Sequence, residues 1–291
     1  MTRQETIQLK PTSGATPQSV DVSLPNAGRS YKNIKEALVD LPEITASIQA
    51  KTGWDVDISK VPLQVVTQQE LNRRCLEDVA VRTGIPTTTS PSFVARTLSD
   101  ALLSAFHKGV VALYLPSEGA IVINEDRLRG LSKDAVKSYL HHELTHAGQQ
   151  QKYPAFMQSV DRLARELKLL VKHGGDVPAD ERSRRTKQFE AKVQARMSLI
   201  EGQAVALQKM YEKDFDLHPE IKIGPIEVAL GLSSMLIPGM TGKMLQYVRG
   251  AELFTRIHAL GTQSVDELFR DPKYTDLVFG PENPKKAKTA Y

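Results

Sequence analysis

The run His142-Glu143-Leu144-Thr145-His146 holds the residues of this chain best suited to chemistry. On a helix, positions i and i+4 lie one turn apart on a single face. The two imidazoles can therefore offer nitrogens to one ion at about 2.0–2.1 Å, the usual Zn–N distance. Glu143 stands beside the first histidine, placed to take a proton from water without being a ligand itself. Zinc lowers the pKa of a water it holds to about 7, which brings that proton within a carboxylate's reach. The plainer reading, two surface histidines met by chance, is disfavoured by the setting. The run lies in a capped helix, after a hairpin, with small Ala147 and Gly148 behind it. His141 lies about 100° round the helix from His142 and is expected beside the site or in solvent.

A zinc site of this kind needs a third protein ligand. Gln149-Gln150-Gln151-Lys152 follows Gly148, so no third histidine extends the motif. A carboxylate from a later helix is the remaining common choice, and two compete. Glu166 has mixed charge around it from Arg162 to Lys168, which reads as a solvated face or a local ion pair. Glu201 sits in Leu199-Ile200-Glu201-Gly202-Gln203-Ala204-Val205-Ala206-Leu207, apolar nearly all round. A buried carboxylate is costly unless paired or bound to a metal, so Glu201 is favoured, with a buried pair to Arg or His as its structural alternative. Gly202 and Ala204 are expected to let this helix come close to the metal helix.

The elements that must position these groups are legible in outline. Ser132 is the expected N-cap of the metal helix, and Val136, Leu140 and Leu144 make its buried stripe. Before it, Val110–Leu115 and Ala120–Asn124 flank Pro116-Ser117-Glu118-Gly119 and read as a hairpin. Upstream, a helix is expected over Tyr31–Thr52, a strand at Leu63–Val66, a helix over Gln69–Val81, a loop at Gly84–Pro91 and a helix over Ser92–His107. Downstream, Phe156 to Leu170 marks a helix, Gly174–Pro178 a break, and Arg182–Lys213 a long helix. Two or three more helices follow Pro225, one capped by Thr241, and Ser264-Val265-Asp266-Glu267 has the form of a capping box. The first thirty residues, rich in Thr, Ser, Pro, Gly and Gln, read as a flexible arm. The fold class expected is α+β: a small antiparallel or mixed sheet with an active-site helix and a mainly helical C-terminal half. Residues 31–291 are taken as a single domain, 31–150 carrying the sheet and the metal helix and 151–291 the helical half.

Composition narrows the field. The 291 residues carry a net charge of +4, with basic groups scattered apart from Arg182–Lys187 and Lys285–Lys288, so no nucleic-acid partner is expected. The lone Cys75 offers no internal disulfide and reads as a helix-borne structural thiol. The longest apolar stretch, Ile226–Ile237, is too short for a bilayer, which takes about 20 residues. A soluble, cytoplasmic protein with no membrane span is expected.

His142-Glu143-Leu144-Thr145-His146-Ala147 followed by a helix carrying Glu201-Gly202-Gln203-Ala204 resembles the gluzincin group of zinc metallopeptidases. The Tyr247–Phe254 segment is similar to an element of several bacterial zincin-like peptidases. The resemblance covers about Val110 to Phe254, and only the His-Glu motif is highly specific. The chain departs from that group in the long gap before Glu201 and in lacking an Asp soon after it. The resemblance implies a zincin-like fold and a zinc ion held by His142, His146 and Glu201. It also implies a peptide or protein substrate lying along Ala120–Asn124 as the edge strand. Glu143 would be the general base. A Tyr or His from the C-terminal half would face the oxyanion, with Tyr247 preferred over Tyr211, His218 and His258 because Gly250 leaves room one turn on. Two rivals belong to other classes: a zincin-fold binding or regulatory module that cleaves nothing, and a nucleic-acid binder independent of metal.

Overall fold

The computed structural model describes residues 2–10, 19–25, 31–84, 110–128, 130–173, 177–217 and 250–279. The expected loop at Gly84–Pro91, but for Gly84, lies outside them, as do the Ser92–His107 helix, Thr241, His218 and Tyr247. The chain is α+β, built on a five-stranded mixed sheet with helices making up most of the rest.

The described residues of Met1–Val81, Pro86–Gly148 and Leu207–Ser234 form one compact unit. Its strands are β1 (Thr2–Gln8), β2 (Ser19–Pro25), β3 (Leu63–Val66), β4 (Ala112–Leu115) and β5 (Ala120–Asn124), in the order β1-β2-β3-β5-β4. β1 runs antiparallel to β2, and β4 antiparallel to β5, while β2, β3 and β5 are mutually parallel neighbours. The N-terminal segment is thus no loose arm. Val20, Val22 and Leu24 alternate with Asp21 and Ser23, the period-2 pattern of a half-buried strand. That local alternation buries Val22 and Leu24 completely and overrides the polar average of the first thirty residues.

Every residue of β5 is buried, as suits a strand with neighbours on both sides. Ala120–Asn124 is therefore interior, and the edge strand beside it is β4. The Tyr31–Thr52 region divides into α1 (Lys32–Val39) and α2 (Leu41–Thr52). Asp40 intervenes, and Pro42, in the first turn of α2, cannot donate the backbone bond that a continuous helix would need. Gly53, at φ 72°, ends α2 in the left-handed region. Next, α3 (Gln68–Thr83) lays Leu71 and Cys75 on Leu115 and Val122, so the thiol is a core group.

Two long helices belong partly to each unit: α4 (Lys133–Lys152) and α6 (Ala179–Asp214). Ser132 Oγ accepts the Ala135 N–H at 3.1 Å and caps α4 as its sequence indicates. Val136, Leu140 and Leu144 are all buried. In the first unit α4 is pinned to α2 by Lys137, whose ammonium donates to Glu43 at 2.6 Å and lies 3.4 Å from Asp40. Burial raises the Asp40 pKa, but Lys133 and Lys137 outweigh it and hold the carboxyl below its ordinary value.

The second unit gathers the described residues of Arg82–Ile85, Gln149–Ala206 and Met235–Tyr291. It contains α5 (Pro154–His173), most of α6, a helical segment at 250–258, α7 (Thr262–Arg270) and α8 (Pro272–Phe279). α7 begins ahead of the expected capping box, after Gly261 with no side-chain cap. Asp266 instead accepts from the Tyr153 hydroxyl and faces Arg270. Arg196, almost fully buried, pairs in two places with Asp276 of α8. The close approach anticipated at Gly202 is real, but its partner differs. A Cβ on Gly202 would lie 2.3 Å from the backbone of Gly250, and one on Gly250 2.3 Å from Ser198 O. The space beside Gly250 is filled by α6.

Two substitutions test this account. Leu24→Ala should destabilise the chain by about 2–5 kcal/mol in urea titration, the range for emptying a packed core site. A loose arm would leave the midpoint unchanged. Gly202→Ala should cost at least about 1–3 kcal/mol, because backbone rather than a pliant side chain blocks the methyl. A neutral effect would contradict the glycine–glycine crossing.

Candidate metal centre

The α4 register sets the site. His142 and His146 share one helix face, and their Nε2 atoms lie 3.1 Å apart with the rings nearly perpendicular, at 82°. Two ligands bound to one tetrahedral ion at the usual Zn–N length sit about 3.3 Å apart along the tetrahedron's edge. The spacing between the rings thus already approximates that of a shared ion. Both histidines are partly buried.

Glu201 completes the set. One ligand atom from each of His142, His146 and Glu201 lies within 4.8 Å of the others, and Glu201 is buried. Nitrogen, nitrogen and carboxylate oxygen form the donor set of a three-ligand zinc site with an open position, so the residues present fit that ion. Glu166 is exposed on α5 and is no part of the cluster.

In the second unit the contact between α4 and α6 is polar. Gln149 Nε2, fully buried, donates to Ile200 O at 2.9 Å and to Gln203 Oε1 at 2.7 Å. This ties the turn after His146 to the residue before Glu201 and fixes the register of that turn. On the far side of α4, a methyl on Gly148 would press on Trp54 and Val56 at 3.1 Å, so the helix lies close against that wall.

Glu143 is buried, and its Oε2 accepts the Tyr114 backbone N–H at 2.7 Å. The carboxylate is thereby oriented by β4, the edge strand. His141 differs from its expected place. It is fully buried, stacked on Tyr211 with ring centroids 4.6 Å apart, and neither ring nitrogen has a hydrogen-bond partner among the described residues. Burial, with the charge of His142 beside it, pushes its pKa down to about 3, so it is a neutral core ring.

Tyr211 donates its hydroxyl to Glu43 at 3.0 Å, and burial together with that carboxylate pushes its pKa up. It is a core tyrosine. His258 packs on Phe254. Spacing alone did not disclose Gln208, whose Oε1 lies 3.1 Å from His142 Nδ1. Its position two turns after Glu201, on the same helix face, was the available signal.

If this cluster holds zinc, Glu201→Ala should weaken zinc binding by at least about tenfold, since an anionic ligand is lost. Glu166→Ala should match wild type in the same chelator-competition titration; the reverse pattern would move the third ligand to Glu166. Comparison of the chain with family models, curated proteins and solved structures returned no match.

Proposed function

We propose that the chain is a zinc-dependent metallopeptidase of the gluzincin type, with His142, His146 and Glu201 as ligands and Glu143 as general base. One observation carries the reading: the three donors converge within 4.8 Å while Glu143 occupies the same helix beside the first of them. The resemblance of the motif to that peptidase group agrees with it, and a zincin-like arrangement of sheet and helix belongs to the same proposal.

A zinc ion held there supplies Lewis-acid polarisation at neutral pH. The rest is done by this chain's own groups. Glu143 takes a proton from the attacking water as its oxygen bonds to the scissile carbonyl carbon. It then passes that proton to the leaving amine nitrogen as the C–N bond breaks. The Tyr114 N–H holds the carboxylate in place for both transfers. The substrate is a peptide or protein segment, taken along β4 rather than β5, since main-chain hydrogen bonds to a sheet edge suffice for docking. Tyr247, the donor to the developing oxyanion that the resemblance implies, lies outside the described residues, and the room expected for it beside Gly250 is taken by α6.

A second reading has an observation of its own. The bond from Tyr114 N–H to buried Glu143 also braces the edge strand, which a non-catalytic zincin-fold module would keep for stability. Glu143→Gln separates the two, because the amide oxygen preserves the brace while the base is lost. On a mixed peptide library the variant should retain zinc and melting temperature and lose about 10²–10⁴-fold in kcat/KM. Undiminished cleavage by the variant would refute the mechanism. A wild type that binds zinc and cleaves nothing would favour the bracing module.

A further inference from the structure

A hydrogen-bonded chain of fixed direction runs from Glu212 to His142. A carboxylate accepts only, so the Ser138 hydroxyl spends its single proton on Glu212 Oε1 and its oxygen is left as an acceptor. Gln208 Nε2 donates to that oxygen at 2.6 Å and lies 3.3 Å from Glu212 Oε1. With its nitrogen so engaged, the amide must turn Oε1 toward His142 Nδ1. An amide oxygen also accepts only. The imidazole proton therefore belongs on Nδ1, and the Nε2 lone pair faces His146. Ser138 stands one turn before His142 on α4, and Gln208 one turn before Glu212 on α6, so two helix faces assemble the whole array. Ser138 is almost fully buried, which shelters the chain from competing water.

We propose that Gln208, oriented by Ser138 and Glu212, is the positioning residue that selects the Nε2-coordinating tautomer of His142 and thereby strengthens zinc binding. The second half of this inference rests on the metal reading above; the tautomer half stands without it. A neutral amide in this place fixes the ring without adding a second anion near Glu201. Partners of this kind, when removed, typically change metal affinity by about 10–100-fold.

The test combines nitrogen-15 NMR of the histidine side chains, in metal-free protein at neutral pH, with zinc titration against a chelator. Wild type should show His142 protonated on Nδ1. Gln208→Met keeps the volume but removes the acceptor; it should give mixed tautomers and bind zinc about 10–100-fold more weakly. A merely space-filling role for Gln208 would instead leave the His142 tautomer unchanged in Gln208→Met, which preserves the volume. Should Gln208→Met fail to fold, Ser138→Ala frees the amide to rotate and should show the same mixing to a lesser degree. An unchanged His142 tautomer in the folded variants would overturn the proposal. Mixed tautomers with unchanged zinc affinity would overturn its second half. A wild type with the Nδ1–H form and no zinc uptake would refute the metal reading and leave the tautomer assignment standing.

Discussion

Two imidazole nitrogens 3.1 Å apart cannot both present bare lone pairs to each other in partly buried surroundings, because like dipoles repel most where water is scarce. Something positive must lie between His142 and His146, either a proton shared by the two rings or a cation bound by both. Glu201 adds a buried carboxylate to the same cluster. In the proposed reading a divalent ion would be bound by all three donors and would displace that proton. The surrounding structure fixes the helix turns that carry these groups.

The means are mostly contacts along α4 and α6. Ser138, His142, Gln208 and Glu212 join the two helices within one unit, and Gln149, Ile200 and Gln203 join them within the other. Lys137, between Asp40 and Glu43, fastens α4 to α2, and the Tyr211 hydroxyl reaches the same Glu43 from α6. Gly202 and Gly250 allow α6 to meet the 250–258 helix backbone to backbone beside Glu201.

How much of this the sequence discloses depends on how local the cause is. The capped α4 and the β4–β5 hairpin follow from short-range spacing, and both stand where their residues place them. Glu201 was distinguishable from Glu166 because burial of a carboxylate among apolar neighbours is itself a signal. The N-terminal strands were hidden by averaging: Val20, Val22 and Leu24 alternate over a window much shorter than the Thr- and Pro-rich tract around them. The edge position passed to β4 because the parallel pairing of β3 with β5 is a long-range event that no local pattern encodes. His141 and Gln208 carry no local signal for a related reason, since each takes its role from α4–α6 packing rather than from its own neighbours. No helix among the described residues is long and apolar enough to cross a membrane.

The most direct measurement of the central claim is X-ray absorption spectroscopy at the zinc edge on chain loaded with one equivalent of zinc. Two imidazole nitrogens and a carboxylate oxygen should appear, with metal–ligand distances of about 2.0–2.2 Å. The imidazole scattering should fall by half in His146→Ala. A zinc ion that shows no imidazole in its shell, or a shell unchanged by that substitution, would contradict the account.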